Sequence, residues 1–239
     1  MISNIITPKY SNKGIFLKQI RSFVIREKKI SDTDKKFFET IFPLFQIPFK
    51  KKILDCLSIF GRSAPVILEI GFGTGNTLVD TAFTNVDRDF IGIEVHKSSI
   101  VKCLKYAYSK KIKNFKIIYH DAVEVIHFMI SDQSLSIVQL FFPDPWNKRK
   151  HHKRRIINEY FVKLILKKLC IGGLLHIITD CNQYAESIIY ILKDIKNYRH
   201  VLKKNHNSSL LINSSMTKFE KKAYLYNRNI FDLFFYKVI

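Results

Sequence analysis

Acidic residues are scarce in this 239-residue chain: 20 Asp and Glu stand against 40 Lys and Arg, a formal net charge of +20. Such an imbalance points to a polyanionic partner, either nucleic acid or an anionic membrane. Part of the excess is compositional, because Lys far outnumbers Arg and many lysines are scattered singly. Cysteine is scarce as well. Cys56, Cys103, Cys170 and Cys181 show neither C-x-x-C pairing nor metal-ligand spacing. This excludes a disulfide framework and a zinc site, so no metal is expected and the thiols fit a reducing, cytoplasmic setting. No apolar run approaches the ~20 residues of a membrane span, and the opening MISNIITPKYSNKG lacks an apolar signal core. A surface-bound membrane role would want a basic amphipathic helix, which is not what the densest basic cluster offers. Nucleic acid therefore leads. Repeats and Gly/Ser linkers are absent too, and the chain reads as one globular unit.

The hydrophobic content of 47% with many Phe is ample for a core. Residues 1–62 read as an amino-terminal extension: a basic stretch RSFVIREKKIS, a helix around Asp34–Thr40 and a second helix over Phe49–Phe60. From 63 to 239 the pattern alternates. Strands are expected at PVILEI (65–70), DFIGIEV (89–95), FKIIYHD (115–121), LSIVQLFF (135–142), GGLLHIITD (172–180) and IFDLFFYKV (230–238). Helices are expected over 76–83, Ser98–Ser109, Val123–Met129, Ile156–Leu169 and Tyr184–Lys193. Strands alternating with helical crossovers specify an α/β fold of Rossmann-like kind: a mostly parallel sheet covered on both faces, with the last strand antiparallel.

Ligands of such sheets sit beyond the carboxyl ends of the strands. Acids gather there: Glu69 and Glu94 within the first two strands, then Asp121, Asp144 and Asp180 just after the next three. Any one of them is ordinarily explained as a helix cap, but the set is not. EIGFGTGN (69–76) places Gly71, Gly73 and Gly75 in a tight turn beside Glu69. A pyrophosphate gains from the helix amino terminus beyond such a turn but suffers from a neighbouring carboxylate. A cationic ligand gains from it, which disfavours a nicotinamide dinucleotide and fits S-adenosylmethionine, with its ammonium and sulfonium. Glu94 can accept both ribose hydroxyls; Asp121 can take the adenine amino group, with the Ala122 backbone N–H beside it. The reading is a class I methyltransferase domain.

FFPDPWNKRKHHKRR (141–155) completes the pattern. Pro143 and Pro145 fix the chain direction around Asp144 and Trp146. Immediately beyond, six of the eight residues from Lys148 to Arg155 are Lys or Arg and the others are His151 and His152. Cations at a helix amino terminus oppose the helix dipole, so the cluster is expected to serve phosphates instead.

RSFVIREKKIS, EIGFGTGNTLV, FIGIEVH, HDAVEV, VQLFFPDPWNKRKHHKRR, GGLLHIITD and TKFE together resemble the bacterial tRNA (guanine-N7-)-methyltransferase family from about residue 21 to the carboxyl terminus. The resemblance implies methyl transfer from S-adenosylmethionine to N7 of a guanosine in the tRNA variable loop. It places Glu69, Glu94, Asp121 and the catalytic Asp144 at the donor, and Lys148, Asp180 and Thr217, Lys218, Phe219 and Glu220 at the guanine. Lys150, His151, His152, Lys153, Arg154 and Arg155 would touch RNA. The enzyme is expected to act as a cytoplasmic monomer with tRNA as partner. Cys181 stands where the family has an aromatic, and Ala223 and Asn227 where it has glycines. The residues alone fit a methyltransferase acting on another RNA, or an inactive RNA-binding descendant of one; the resemblance selects tRNA.

Overall fold

The computed structural model describes residues 9–10, 16–17, 20–25, 29–201 and 217–238. In chain order the elements are a short antiparallel pair, β1 (Lys9–Tyr10) and β2 (Phe16–Leu17), then α1 (Asp32–Phe45), α2 (Cys56–Phe60), β3 (Val66–Ile70), α3 (Asn76–Thr84), β4 (Asp89–Glu94), α4 (Lys97–Ser109), β5 (Phe115–Tyr119), α5 (Ala122–Met129) and β6 (Leu135–Phe141). A 3-10 helix (Arg149–Arg154) follows, then α6 (Glu159–Lys168), β7 (Leu169–Thr179), α7 (Asn182–Lys193), β8 (Tyr198–Val201), α8 (Lys218–Leu225) and β9 (Phe231–Lys237).

The expected sheet forms. Its order is β5-β4-β3-β6-β7-β9-β8, with β3 to β7 parallel and β9 running antiparallel between β7 and β8. Each buried strand sends alternate side chains to opposite faces. Ile67, Phe90 and Ile137 join α1, α3 and α4 on one face, while Leu68, Ile91, Val138 and their neighbours join α5, α6 and α7 on the other. Ile67 and Leu68 are 0% exposed, each worth roughly 2 kcal/mol of burial.

Several boundaries differ from the sequence pattern for local reasons. α1 runs on to Phe45 through Pro43, because Ile41, Phe42 and Phe45 are buried against the sheet edge. There Gln46 bridges to Ile117 and the Ile47 N–H reaches the Ile117 carbonyl at 2.8 Å. The helix expected over Phe49–Phe60 shrinks to Cys56–Phe60. Phe49 instead stacks on His120 at 3.6 Å, the Leu54 N–H donates to the Met129 carbonyl, and Asp55 caps the short helix. α6 starts at Glu159 because the Asn158 side chain caps it, accepting from the Phe161 N–H. Strand β8, paired with β9, and the helix that TKFE opens were not expected.

Candidate functional site

Because β3 to β7 are parallel, their carboxyl ends share one edge of the sheet. The strand order puts the acids there in the spatial sequence Asp121, Glu94, Glu69, Asp144, Asp180. Of these, Glu94 is bonded to the glycine turn through the Gly73 N–H, and Asp144 lies within the proline turn.

Glu94 ends β4 and is held by three backbone donors. Gly73 N–H reaches its Oε2 at 2.9 Å, and Val95 and His96 N–H reach Oε1 at 2.7 and 3.0 Å. Glu69, one strand away, is 4% exposed, and its Oε2 has no hydrogen-bond partner. Burial, and secondarily the Glu94 charge, push its carboxyl up to about 8. Burial raises Glu94 as well, but its three N–H donors oppose that rise. Glu94 is therefore the member of the pair that carries the charge, and Glu69 the one that holds a proton at neutral pH. Gly75 opens α3 with φ 71°, and a β-carbon there would lie 2.2 Å from the Cys103 sulfur. Only glycine lets α4 pack this close to the turn.

Asp121 caps α5. Its Oδ1 accepts the Val123 N–H at 3.0 Å and its Oδ2 accepts Arg21 NH1 at 2.9 Å. The Ala122 backbone lies in the first turn of that helix.

The proline turn is shaped by two residues in the left-handed region, Phe142 (φ 50°) and Trp146 (φ 46°). Asp144 between them is solvent-exposed; partial desolvation raises its carboxyl, opposed by nearby His96. The Trp146 indole donates to the Ser22 carbonyl at 3.1 Å, and the Arg154 guanidinium lies over its ring. Lys148, Lys150 and Lys153 are exposed on the 3-10 turn and its entry, with His151 and His152 half-buried. Arg155 departs from the RNA-facing role expected of it. It is 7% exposed, donates to the Pro145 carbonyl at 2.9 Å, approaches Gln183 and lies over the Tyr184 ring. Its guanidinium braces the proline turn through the Pro145 carbonyl.

Asp180 pairs with Arg228 at 2.9 Å. Thr217 and Glu220 form a capping box at the start of α8: the Thr217 side chain accepts the Glu220 N–H, and the Glu220 side chain accepts the Thr217 N–H. Their side chains are thus engaged in building the helix start, and Phe219 is the exposed member, stacked on Phe142 at 5.5 Å. That contact brings α8 to the proline turn. Lys218 lies at the first position of the helix. Asn227 has φ 48°, a conformation that asparagine tolerates in place of glycine, and Ala223 is buried. Cys181 sits 4.0 Å from the Asn147 side chain.

Sequence reasoning assigned nothing to Arg21, Arg228 or His96. The first two are carried by segments remote in sequence from their carboxylates, so no local spacing announces them; His96 lies two residues after Glu94 and was legible as a neighbour. Among the described residues no group of three or more His, Cys, Asp or Glu is placed to hold a metal ion, and no helix is long and apolar enough to cross a membrane.

The donor set suits S-adenosylmethionine: a buried carboxyl oxygen without a partner at Glu69 on β3, and carboxyl groups at the ends of β4 and β5. Residues 63–233 match the family model described as "Putative methyltransferase". A tRNA (guanine-N(7)-)-methyltransferase of Buchnera aphidicola subsp. Acyrthosiphon pisum is 48% identical over 98% of both chains. One from Escherichia coli is 40% identical over the full length of both. Among solved structures, an rRNA methylase from Streptococcus thermophilus shares the fold, with TM-score 0.50 and 15% identity over 76% of this chain and 91% of its own. With the donor edge, the proline turn and these full-length relatives in agreement, the chain belongs to the tRNA (guanine-N(7)-)-methyltransferase family.

Proposed function

We propose that this enzyme methylates N7 of a guanosine in the variable loop of tRNA, using S-adenosylmethionine, and acts as a cytoplasmic monomer whose donor and acceptor residues all come from one chain. The observation that carries the reading is the shared edge on which the orphaned Glu69 carboxyl and the Asp144 turn lie one strand apart, on β3 and β6. In this reading Glu69 faces the donor's cationic end, Glu94 accepts the ribose hydroxyls and Asp121 the adenine amino group. The Gly71, Gly73 and Gly75 turn supplies the close backbone.

The donor supplies an electrophilic methyl: its bond to sulfur breaks with the electron pair staying on sulfur, as the N7 lone pair forms the new bond. Guanine N7 carries no proton, so the protein need not remove one. Its task is positioning and electrostatics. Asp144 orients the base and offsets the positive charge that develops on the ring, while Asp180 and Lys148 hold its edge and phosphate. Phe219 and Phe142 offer an aromatic wall beside it, and Lys150, Lys153 and Arg154 neutralise flanking phosphates.

The test uses labelled S-adenosylmethionine with unmodified tRNA carrying a variable-loop guanosine, alongside a matched tRNA with 7-deazaguanosine at that position. Label in the first and none in the second is the expected outcome. Equal label in both moves the acceptor atom, and no label in either removes the proposed reaction.

A further inference from the structure

We propose that Arg21 is a positioning residue of the donor site, holding the Asp121 carboxylate in place to receive the adenine amino group; this rests on the donor reading above. Segment 20–25 reaches two sides of the site at adjacent residues. Arg21 NH1 lies 2.9 Å from Asp121 Oδ2, with side chains 11% and 8% exposed. The next residue, Ser22, accepts the Trp146 indole N–H. The segment is thus a strap tied at one point to the carboxyl end of β5 and at the next to the proline turn that carries Asp144.

The hydrogen-bond geometry leaves room for a ligand. A carboxylate has about four lone-pair positions. Val123 N–H occupies one on Oδ1 and Arg21 one on Oδ2, so the carboxylate is fixed in rotation while acceptor capacity remains. The groups facing it decide its charge. Burial raises the Asp121 carboxyl and the Glu124 charge adds to that, while the Val123 N–H, Arg21 and His120 lower it. His120 is itself paired with Glu124 at 2.6 Å and stacked on Phe49, so Arg21 is the cation bonded directly to Asp121. Removing it leaves a buried carboxyl that takes up a proton more readily and turns more freely. A protonated Asp121 presents a donor toward an amino group that needs an acceptor.

A salt bridge that merely anchored the amino-terminal segment would affect melting and leave ligand affinity alone. The experiment therefore measures the Kd of S-adenosylhomocysteine by calorimetry for the wild type, Arg21→Ala, Arg21→Lys, Asp121→Asn and the Arg21→Ala/Asp121→Asn double variant. The series is repeated at lower pH, because burial favours the protonated form of the Asp121 carboxyl and loss of Arg21 removes a charge that opposes it. Arg21→Ala is expected to weaken binding about tenfold, a coupling of the size found for directly contacting pairs. The loss should grow as pH falls, Lys should restore part of it, and the double variant should be no worse than Asp121→Asn alone. Arg21→Ala within about twofold of wild type, tighter binding, or losses that add in the double variant overturn the proposal. If Arg21→Ala fails to fold, Arg21→Gln, which removes the charge and keeps an N–H donor, decides: a wild-type Kd and pH profile there overturn the proposal. An unchanged Kd for Asp121→Asn removes the donor-site reading itself, an outcome distinct from failure of the Arg21 step.

Discussion

Glu69 and Glu94 stand on neighbouring strands in equally buried surroundings, yet their hydrogen bonding separates their roles. With three N–H donors Glu94 is an ionised acceptor, whereas Glu69, with an orphaned oxygen and a carboxyl pushed up to about 8, is a neutral acid until a cation arrives. A donor ammonium or sulfonium favours the carboxylate, so binding at pH 7 should release a proton from Glu69. The sign follows: below about 8 the site must first lose that proton. Donor affinity should therefore rise with pH, by at most tenfold per unit or ~1.4 kcal/mol, and level off above that pKa. Calorimetry in buffers of different ionisation enthalpy measures the release; Glu69→Gln should abolish both the release and the pH slope. Persistence of the slope in that variant would assign the proton elsewhere. Asp144 is the contrasting residue, exposed on its turn and free of the donor edge's backbone bonds. Asp144→Ala should cut turnover by roughly 10²-fold or more, the scale of a lost transition-state electrostatic partner, with the Kd of S-adenosylhomocysteine changing only several-fold. A large loss of donor binding would move Asp144 into the donor site proper.

Elements rather than single side chains set the shape of the acceptor turn. Phe142 and Trp146 adopt positive φ, and Pro143 and Pro145 fix the chain between them. Arg155 holds the turn from beneath through the Pro145 carbonyl, while Arg154 faces the Trp146 ring above. Two adjacent arginines therefore predict two different phenotypes. Arg155→Ala should lower the melting temperature and turnover through loss of a buried, hydrogen-bonded charge, by ~2 kcal/mol or more, while tRNA affinity changes less. Arg154→Glu should weaken tRNA binding and leave melting near wild type. Identical effects on melting and binding for both would dissolve the distinction. The sequence announced this element's charge and its prolines, but not the inward turn of Arg155, because a run of basic residues carries no periodicity that marks one as buried. The helix expected over Phe49–Phe60 failed for a related reason. Its apolar spacing is helical, but Phe49 has a better partner in His120 across the sheet edge than any helical neighbour. The parallel strands β3 to β7 were legible because each is an apolar run ended by glycine, proline or an acid, and both faces of a parallel sheet need such runs.

For the molecule as a whole, the acid row and the basic turn divide a charge of +20 into two functions. The acids lie along the carboxyl edge, where the proposed reading puts a cationic donor; Lys150, Lys153 and Arg154 lie just beyond, at the 3-10 turn, where a polyanion would approach. This division was legible in the sequence through the order of strand ends. The links across it were not, because Arg21 reaches Asp121 and Ser22 reaches Trp146 over separations that leave no local trace. If the turn neutralises phosphates, binding releases their counterions, and the logarithm of affinity falls linearly with the logarithm of salt. Each phosphate contact contributes about 0.7–0.9 to that slope. Reversing Lys150, Lys153 and Arg154 to Glu should flatten the slope by ~2 or more and weaken binding at low salt, with donor affinity held close to wild type. Reversing a comparable set of scattered lysines, such as Lys167, Lys193 and Lys196, should change the slope far less if most of the remaining charge is compositional. Filter binding of unmodified tRNA across a salt series separates the two. Equal flattening by both sets would make the whole basic surface, rather than the turn, the RNA-binding feature; an unchanged slope in the turn variant would remove phosphates from the turn altogether.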